Sequence, residues 1–178
     1  MSDEAKKPIW KRWWAWLAVV IIIIAIATSG EDSAPTSSTV DVKAMPLNDY
    51  AQYLVKETVG EKTNNNELVF IQATGTNGFL TIEMNTSDNL TTNLYRTSLL
   101  GDSIEMYKKA YTDRPDLKAL KLDWFTTLVD QKGNESEGSV MWIVIKKENA
   151  ATINWDNVLA DNLPKIADGY WQHPLFSK

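Results

Sequence analysis

The longest apolar run of the chain lies close to its start. Residues 13–29 contain no charged side chain, and a bilayer core of about 30 Å is spanned by an apolar helix of roughly 17–25 residues. Two basic residues, Lys11 and Arg12, precede the run, and acidic residues follow it. Because basic residues stay on the cytoplasmic side of a membrane, this pattern predicts a transmembrane helix at 13–29, a cytoplasmic N-terminus at 1–12 and export of the remainder.

The start of this run suits a membrane–water interface. Basic side chains can extend to the lipid headgroups, and tryptophan rings are typical of the same level. The residues predicted to lie there are Lys11, Arg12, Trp13, Trp14 and Trp16. A cleaved signal peptide is the alternative, because residues 25–27 have the small-x-small form of a site cleaved after Ala27. Either interpretation places the following domain outside the cytoplasm.

The segment after the run has no apolar period. Residues 30–46 are rich in serine, threonine and proline, which predicts a flexible stalk. Residues 47–178 are numerous enough to bury a core of their own. They open with a helical pattern that ends near Gly60 and can be capped by Asn48 or Asp49. The apolar stripe of this first helix consists of Leu47, Tyr50, Ala51 and Leu54.

Four segments have the composition or the alternation of strands, namely residues 67–74, 79–85, 120–130 and 139–147. The first two are joined through Asn77-Gly78, and such a pair is the strongest short signal for a hairpin. The last two are joined by a polar loop with two glycines, which also indicates a hairpin. In the third segment Lys121 and Asp123 belong to one face. The opposite face consists of Leu120, Leu122, Trp124, Thr126 and Leu128.

A long helix is expected between the two hairpins. It begins at Ser87 or Asp88 and runs to about Tyr111, with the inward candidates Leu90, Leu94, Ile104 and Tyr107. A last helical segment is expected at residues 153–171, where Pro164 implies either a break or the first turn of a new helix. The order α-β-β-α-β-β-α predicts an α+β domain with a four-stranded antiparallel sheet and helices on one face.

Charge and cysteine content narrow the class of partner. The net charge is −5, but from residue 30 onward 14 basic and 21 acidic side chains give −7. An acidic domain lacks the positive surface that phosphate backbones require, so nucleic acid is not an expected partner. The absence of cysteine excludes disulfides and thiolate metal sites. An exported domain without disulfides suits a bacterial envelope better than a eukaryotic secretory route.

Candidate catalytic groups are sparse. The chain has one histidine, His173, close to its C-terminus, and none of the common hydrolase, metalloprotease or nucleotide-binding motifs. We therefore expect no catalytic residues, no cofactor and no metal. The alternative is a small envelope hydrolase that uses carboxylates of the last helical segment, since paired acids can cleave glycosidic bonds. Its candidates are Asp156, Asp161 and Asp168.

Aromatic residues are concentrated near the C-terminus. The candidate binding residues are Trp155, Tyr170, Trp171, His173 and Phe176. Tryptophan and tyrosine supply large contact areas together with a polar group, as interface hot spots do. The other interpretation is that these aromatics fold back as a lid that closes the core, because apolar tails usually dock.

Two segments carry a resemblance. VGEKTN, residues 59–64, and INWDNVLADNLPKIADGYWQHP, residues 153–174, are similar to segments of small Gram-positive envelope proteins of unassigned function, which have a tryptophan-rich N-terminal anchor. The resemblance implies surface exposure and an extracellular α+β domain, and it implies no activity. Some members of that group are lipoproteins held by an acylated cysteine, which this chain lacks, so here the N-terminal helix alone would hold the domain.

Together these patterns indicate a binding function. An anchor, a stalk and a compact acidic domain without a catalytic set predict a single-pass envelope protein that acts by binding. Its expected partners are the lipid bilayer and an envelope or extracellular protein or wall ligand. A structural subunit of a membrane complex is a further alternative, although the apolar run has no GxxxG motif for helix pairing.

Overall fold

The computed structural model describes residues 41–86 and 92–177. The predicted cytoplasmic N-terminus, the transmembrane helix with its interface residues and the stalk up to residue 40 lie outside the described residues. Leu90 and the two predicted caps of the long helix, Ser87 and Asp88, also lie outside them. Within the described ranges, no helix combines the length and apolar character that crossing a membrane requires.

The described part of the chain contains four α-helices and five strands. The helices are α1 (Leu47–Thr58), α2 (Thr92–Asp113), α3 (Lys147–Ala150) and α4 (Leu163–Ile166). The strands are β1 (Phe70–Thr76), β2 (Phe79–Asn85), β3 (Ala119–Val129), β4 (Glu135–Lys146) and β5 (Gly169–Gln172). Short 3₁₀ turns lie at Ala160–Asn162 and Pro174–Ser177.

All five strands form one sheet in the order β1-β2-β3-β4-β5. Neighbouring strands are antiparallel, except that β2 and β3 are parallel. The α+β class is thus confirmed, whereas the prediction of four antiparallel strands was wrong in strand number and in orientation. Hairpin signals determine orientation only within each pair. Between the pairs, α2 returns the chain from the end of β2 to the start of β3, and such a crossover makes two strands parallel.

The hydrophobic core lies between one face of the sheet and the helices. The strands contribute alternate residues, such as Ile82 of β2, Leu122 of β3 and Ile143 of β4, all without solvent exposure. Side chains of all four helices join the same cluster. At its centre Tyr107 of α2 is fully buried and donates a hydrogen bond to the carbonyl oxygen of Ile143 at 2.9 Å. Burial raises the pKa of Tyr107 well above its ordinary value, so its hydroxyl remains a donor.

Helix α1 forms where the apolar period predicts it and ends at Thr58. Neither Asn48 nor Asp49 caps it, because the helix already begins at Leu47 and Pro46 occupies the N-cap position. The chain before α1 is held by Arg114, whose guanidinium donates to the carbonyl oxygen of Met45 at 2.9 Å. The contacts of the domain therefore extend into the segment that the sequence assigns to the stalk.

The first hairpin is confirmed. Asn77 and Gly78 form its two-residue turn with φ values of 51° and 85°, and a turn with both residues at positive φ matches the twist of the strands. Strand β1 begins at Phe70, later than predicted. The register shifts between Phe70 and Gln72, while Leu68 pairs with Lys62 in an isolated bridge.

Helix α2 buries two of the three predicted inward residues that the structure describes. Ile104 and Tyr107 are buried as expected, but Leu94 is 59% exposed. The buried stripe passes instead through Tyr95 and Leu99. Leu94 precedes Tyr95 by one residue, which rotates its side chain by about 100° on a helix, so it points away from the core.

The predicted helix at 153–171 was wrong. Only Leu163–Ile166 is α-helical in this segment. Pro164 lies in the first turn of that helix, which confirms one of its two interpretations; proline tolerates this position because its missing N–H has no helical partner there. The chain then extends, and the N–H of Asp168 donates to the carbonyl oxygen of Val144 at 2.9 Å. This pairing begins β5 as a fifth strand on the edge of β4.

Candidate binding surface

The face of the sheet opposite the helices has no helix or loop of the described residues packed on it. Strand alternation and register bring a set of apolar side chains to this face, and none of them belongs to the core cluster or packs against it. We call this surface the open face. Its apolar members are Phe79, Ala119, Phe125, Trp142, Val144 and Trp171.

An ion pair lies near the middle of the open face. Lys121 and Asp123 project from the same face of β3, and Lys121 Nζ lies 2.7 Å from Asp123 Oδ2. Ser139 of β4 donates its hydroxyl to the other carboxylate oxygen, Oδ1, at 2.6 Å. Asp123 is only 6% exposed. A carboxylate this buried is tolerated because both of its oxygens accept hydrogen bonds and a cation neutralises it.

Trp142 lies beside this ion pair. It is the cross-strand neighbour of Asp123 on β3 and of Trp171 on β5. The ammonium of Lys121 lies 5.6 Å from the centroid of the Trp142 ring, a cation–π distance. On the β5 side, a Cβ on Gly169 would lie 3.2 Å from Cζ3 of Trp142. The glycine thus allows the indole to approach the backbone of β5.

Trp171 is the more exposed of the two indoles. It is 38% exposed and makes an edge contact with the ring of His173, with centroids 6.2 Å apart. His173 is itself oriented by its backbone, since its N–H donates to Val140 at 2.8 Å and its Nδ1 accepts the N–H of Leu175 at 3.2 Å. Of the aromatic residues predicted from the sequence, Trp171 and His173 are the two found together at this surface.

Trp155 lies on the other side of the sheet. Its ring stacks on Tyr107 of the core, with centroids 5.9 Å apart, and its Nε1 donates to the carbonyl oxygen of Ala150 at 3.2 Å. An aromatic pair of this kind contributes about 0.5–1.5 kcal/mol beyond the area that it buries. Trp155 therefore acts as a lid on the core.

Tyr170 and Phe176 also face the helices. The hydroxyl of Tyr170 donates to Oε1 of Gln172 at 2.6 Å, and Phe176 is buried against Tyr95 with centroids 5.3 Å apart. The C-terminal aromatics thus divide between the two sides of the sheet. Successive residues of a strand point to opposite faces, so Tyr170 and Trp171 cannot belong to one patch.

The acids proposed for a hydrolase do not face one another across a cleft. Asp156 pairs with Lys108 at 2.6 Å, and Asp161 pairs with Arg96 at 2.8 Å. Asp168 instead accepts a backbone N–H of β4 at 2.8 Å. Among the described residues, no group of three His, Asp or Glu side chains is arranged to hold a metal ion.

The members of the open face that come from the central strands are not evident as a surface from the sequence. The composition of residues 139–147 predicts a strand but assigns no face to Ser139 or Trp142, and alternation in residues 120–130 places Lys121 and Asp123 only opposite the apolar face. The alternation of core and non-core residues along β4 is the signal that indicates the face of Trp142. In residues 141–145 the core residues are every second one, which leaves Trp142 on the uncovered side.

Comparison with protein-family models, curated proteins and solved structures gives no match to this chain. The open face offers one exposed indole, a second indole beside it, and a carboxylate that accepts hydrogen bonds from an ammonium and from a hydroxyl.

Proposed function

We propose that this protein is a membrane-anchored, extracytoplasmic binding protein of a bacterial envelope, and that its open face binds an uncharged polysaccharide chain. The observation that carries the proposal is the placement of Trp171 beside Trp142 and the Lys121–Asp123–Ser139 group. The apolar run at 13–29, with its basic N-terminal flank, supports the anchor and its orientation.

The arrangement suits a sugar chain for geometric reasons. The C–H groups of a pyranose ring pack on the face of an indole, while its hydroxyl groups need donors and acceptors beside that indole. Asp123, Trp142 and Trp171 occupy three adjacent strands at one level of the sheet. Adjacent strands are about 4.8 Å apart, so the distance from Asp123 to Trp171 is roughly 10 Å. A ligand that reaches both must contain more than one sugar ring.

The same surface is less suited to a protein partner. The central parts of protein interfaces are depleted of charged residues, whereas the open face has an ion pair near its centre. The rest of the face adds polar side chains rather than a continuous apolar patch, including Glu83, which accepts a hydrogen bond from Gln72 at 2.7 Å. Thr74, Thr76 and Thr81 of β1 and β2 share this side of the sheet. Hydroxyl groups on the protein match hydroxyl groups on a sugar.

The charge of the domain restricts the ligand further. From residue 30 onward the chain has a net charge of −7, which disfavours anionic polymers such as phosphate-containing chains. An uncharged polysaccharide meets no such repulsion. The aromatic ring then supplies most of the contact area, and the polar group beside it selects the orientation of the sugar hydroxyls.

Binding can be measured by isothermal titration of the full-length chain, in non-ionic detergent, with cellohexaose and chitohexaose. We expect at least one hexasaccharide to bind, and the corresponding monosaccharide to bind at least tenfold more weakly. Trp171→Ala should weaken binding at least tenfold, and Ser139→Ala should weaken it to a smaller extent. The matched control is Leu94→Ala, which removes an exposed apolar side chain from α2 on the other side of the domain and should leave binding unchanged.

Two results would contradict the proposed ligand. If neither hexasaccharide binds, the open face is not a site for these sugar chains. If Trp171→Ala and Leu94→Ala affect binding equally, the sugar binds elsewhere. Retention of a protein partner that is lost in Trp171→Ala, without sugar binding, would instead make the open face a protein interface.

The topology is tested separately. Because the chain has no cysteine, a single introduced cysteine is unique. We expect Lys132→Cys, in the exposed β3–β4 loop, to react with a membrane-impermeant maleimide on intact spheroplasts, and Asp3→Cys to react only after the membrane is permeabilised. The reverse pattern would contradict the orientation, and loss of residue 3 from the mature chain would indicate a cleaved signal.

A further inference from the structure

A cavity of about 210 Å³ lies at the C-terminal end of β2, on the side of the sheet that the helices cover. Asn85 and Thr86 form one part of its wall, and Trp124 of the parallel neighbour β3 forms another. Pockets in sheets with helical crossovers commonly lie beyond the carboxyl ends of parallel strands. This position is separate from the open face.

Helix α2 supplies the polar wall of the cavity. Tyr95, Ser98, Leu99 and Asp102 line it, and their spacing of three, four and seven residues places them on one stripe of the helix. Ser98 donates its hydroxyl to the carboxylate of Asp102, but burial dominates and raises the pKa of Asp102. A carboxylate is therefore held at a partly desolvated wall of a cavity.

Asp102 differs from the other acids that are withdrawn from solvent. Asp113 has Lys109 at 3.1 Å, and Asp123 has Lys121 at 2.7 Å. None of the ion pairs among the described residues involves Asp102. A desolvated carboxylate without a cation lowers the stability of the fold, and a cation that entered the cavity would remove that cost.

The remaining charged side chain of the wall does not neutralise Asp102. Lys62 is exposed, and its ammonium donates to Oδ1 of Asn66 at 2.8 Å. The rings of Tyr95 and Trp124 complete the wall. Aromatic rings attract an ammonium group and also pack against the methylene groups attached to it.

We infer that this cavity is a binding site for a small primary amine, whose ammonium group pairs with Asp102 and whose carbon chain lies against Tyr95 and Trp124. A cavity volume of about 210 Å³ leaves room for an alkylamine of four or five carbon atoms. The inference does not depend on the proposed sugar site.

The test uses equilibrium dialysis of the full-length chain in non-ionic detergent against radiolabelled n-butylammonium. Unlabelled 1-butanol and butyrate, which have the same carbon chain without the positive charge, serve as competitors. We expect n-butylammonium to bind and neither competitor to displace it. Asp102→Asn, which is nearly isosteric, should weaken binding at least tenfold, whereas Asp102→Glu keeps the charge and should retain most of it. Asp156→Asn removes an exposed acid elsewhere and is the matched control.

Each alternative result overturns the inference. If 1-butanol displaces the amine, the cavity selects for the carbon chain and not for the charge. If Asp102→Asn and Asp156→Asn weaken amine binding equally, the amine is attracted only by the net negative charge of the domain. Absence of n-butylammonium binding to the wild-type chain would show that the cavity is not an amine site. Circular dichroism of each variant verifies that a loss of binding does not come from unfolding.

Discussion

The division of the C-terminal aromatics between the two sides of the sheet predicts two very different costs of truncation. Trp155→Ala removes a ring that stacks on Tyr107 at 5.9 Å and loses a hydrogen bond to Ala150. Truncation of a buried aromatic costs about 3–5 kcal/mol. Because Trp155 is half-buried, we expect about 3 kcal/mol. Trp171→Ala loses mainly its cross-strand contact with Trp142, and such pairs contribute about 0.2–1 kcal/mol.

The free energy of unfolding of the two variants can be compared by urea denaturation of the full-length chain in detergent, followed by circular dichroism. The expected difference of about 2 kcal/mol is well above the uncertainty of the extrapolation when the slopes agree. Equal losses for Trp155→Ala and Trp171→Ala would refute the assignment of one ring to the core and the other to the open face. A larger loss for Trp171→Ala would reverse it.

Further predictions concern single backbone and carboxylate positions. Gly78→Ala should destabilise the domain more than Gly133→Ala, because both have positive φ but only the former places a Cβ 3.0 Å from a carbonyl oxygen; equal shifts in thermal midpoint would contradict this. The hydrogen bond from Arg114 lowers the pKa of Asp116 below 3.8. Asp116→Asn should therefore destabilise the domain at neutral pH, and this loss of stability should disappear as the pH falls through the lowered pKa. Burial raises the pKa of Asp102 above 3.8, so Asp102→Asn should stabilise the domain at neutral pH and have no effect below pH 3.8. Thermal midpoints of the Asp116 and Asp102 variants, measured from neutral pH to below pH 3.8, test these opposite effects.

The parts of the fold that were predictable are those determined by local chemistry. The Asn77-Gly78 turn follows from two residues that tolerate positive φ, and helix α1 follows from a continuous 3.6-residue period. The failures lie where tertiary contacts decide. Residues 153–171 contain apolar residues at helical spacings, but residues 169–172 pair instead with the edge of β4. Local propensity contains no information about a free strand edge.

The candidate surface was predictable only in part for a related reason. Trp171 and His173 stand out by composition, whereas Trp142, Lys121 and Asp123 become members of one surface only when register is known. A shift of β4 by one residue would bring Trp142 into the core. The loop between β3 and β4 does not determine this register alone, because the register of the two strands shifts between Trp124 and Phe125.

Helix α2 accounts for both candidate sites through one topological choice. As a crossover it makes β2 and β3 parallel, which brings the end of β2 beside the stripe that holds Asp102 and creates the cavity there. The same connection, with the later helices, covers a single face of the sheet and leaves the opposite face with Trp142 and Trp171 uncovered. A short hairpin turn directly between β2 and β3, without α2, would have made these strands antiparallel and removed the cavity. We therefore regard the crossover, rather than the clustered aromatic residues, as the feature that determines where the two proposed binding sites lie.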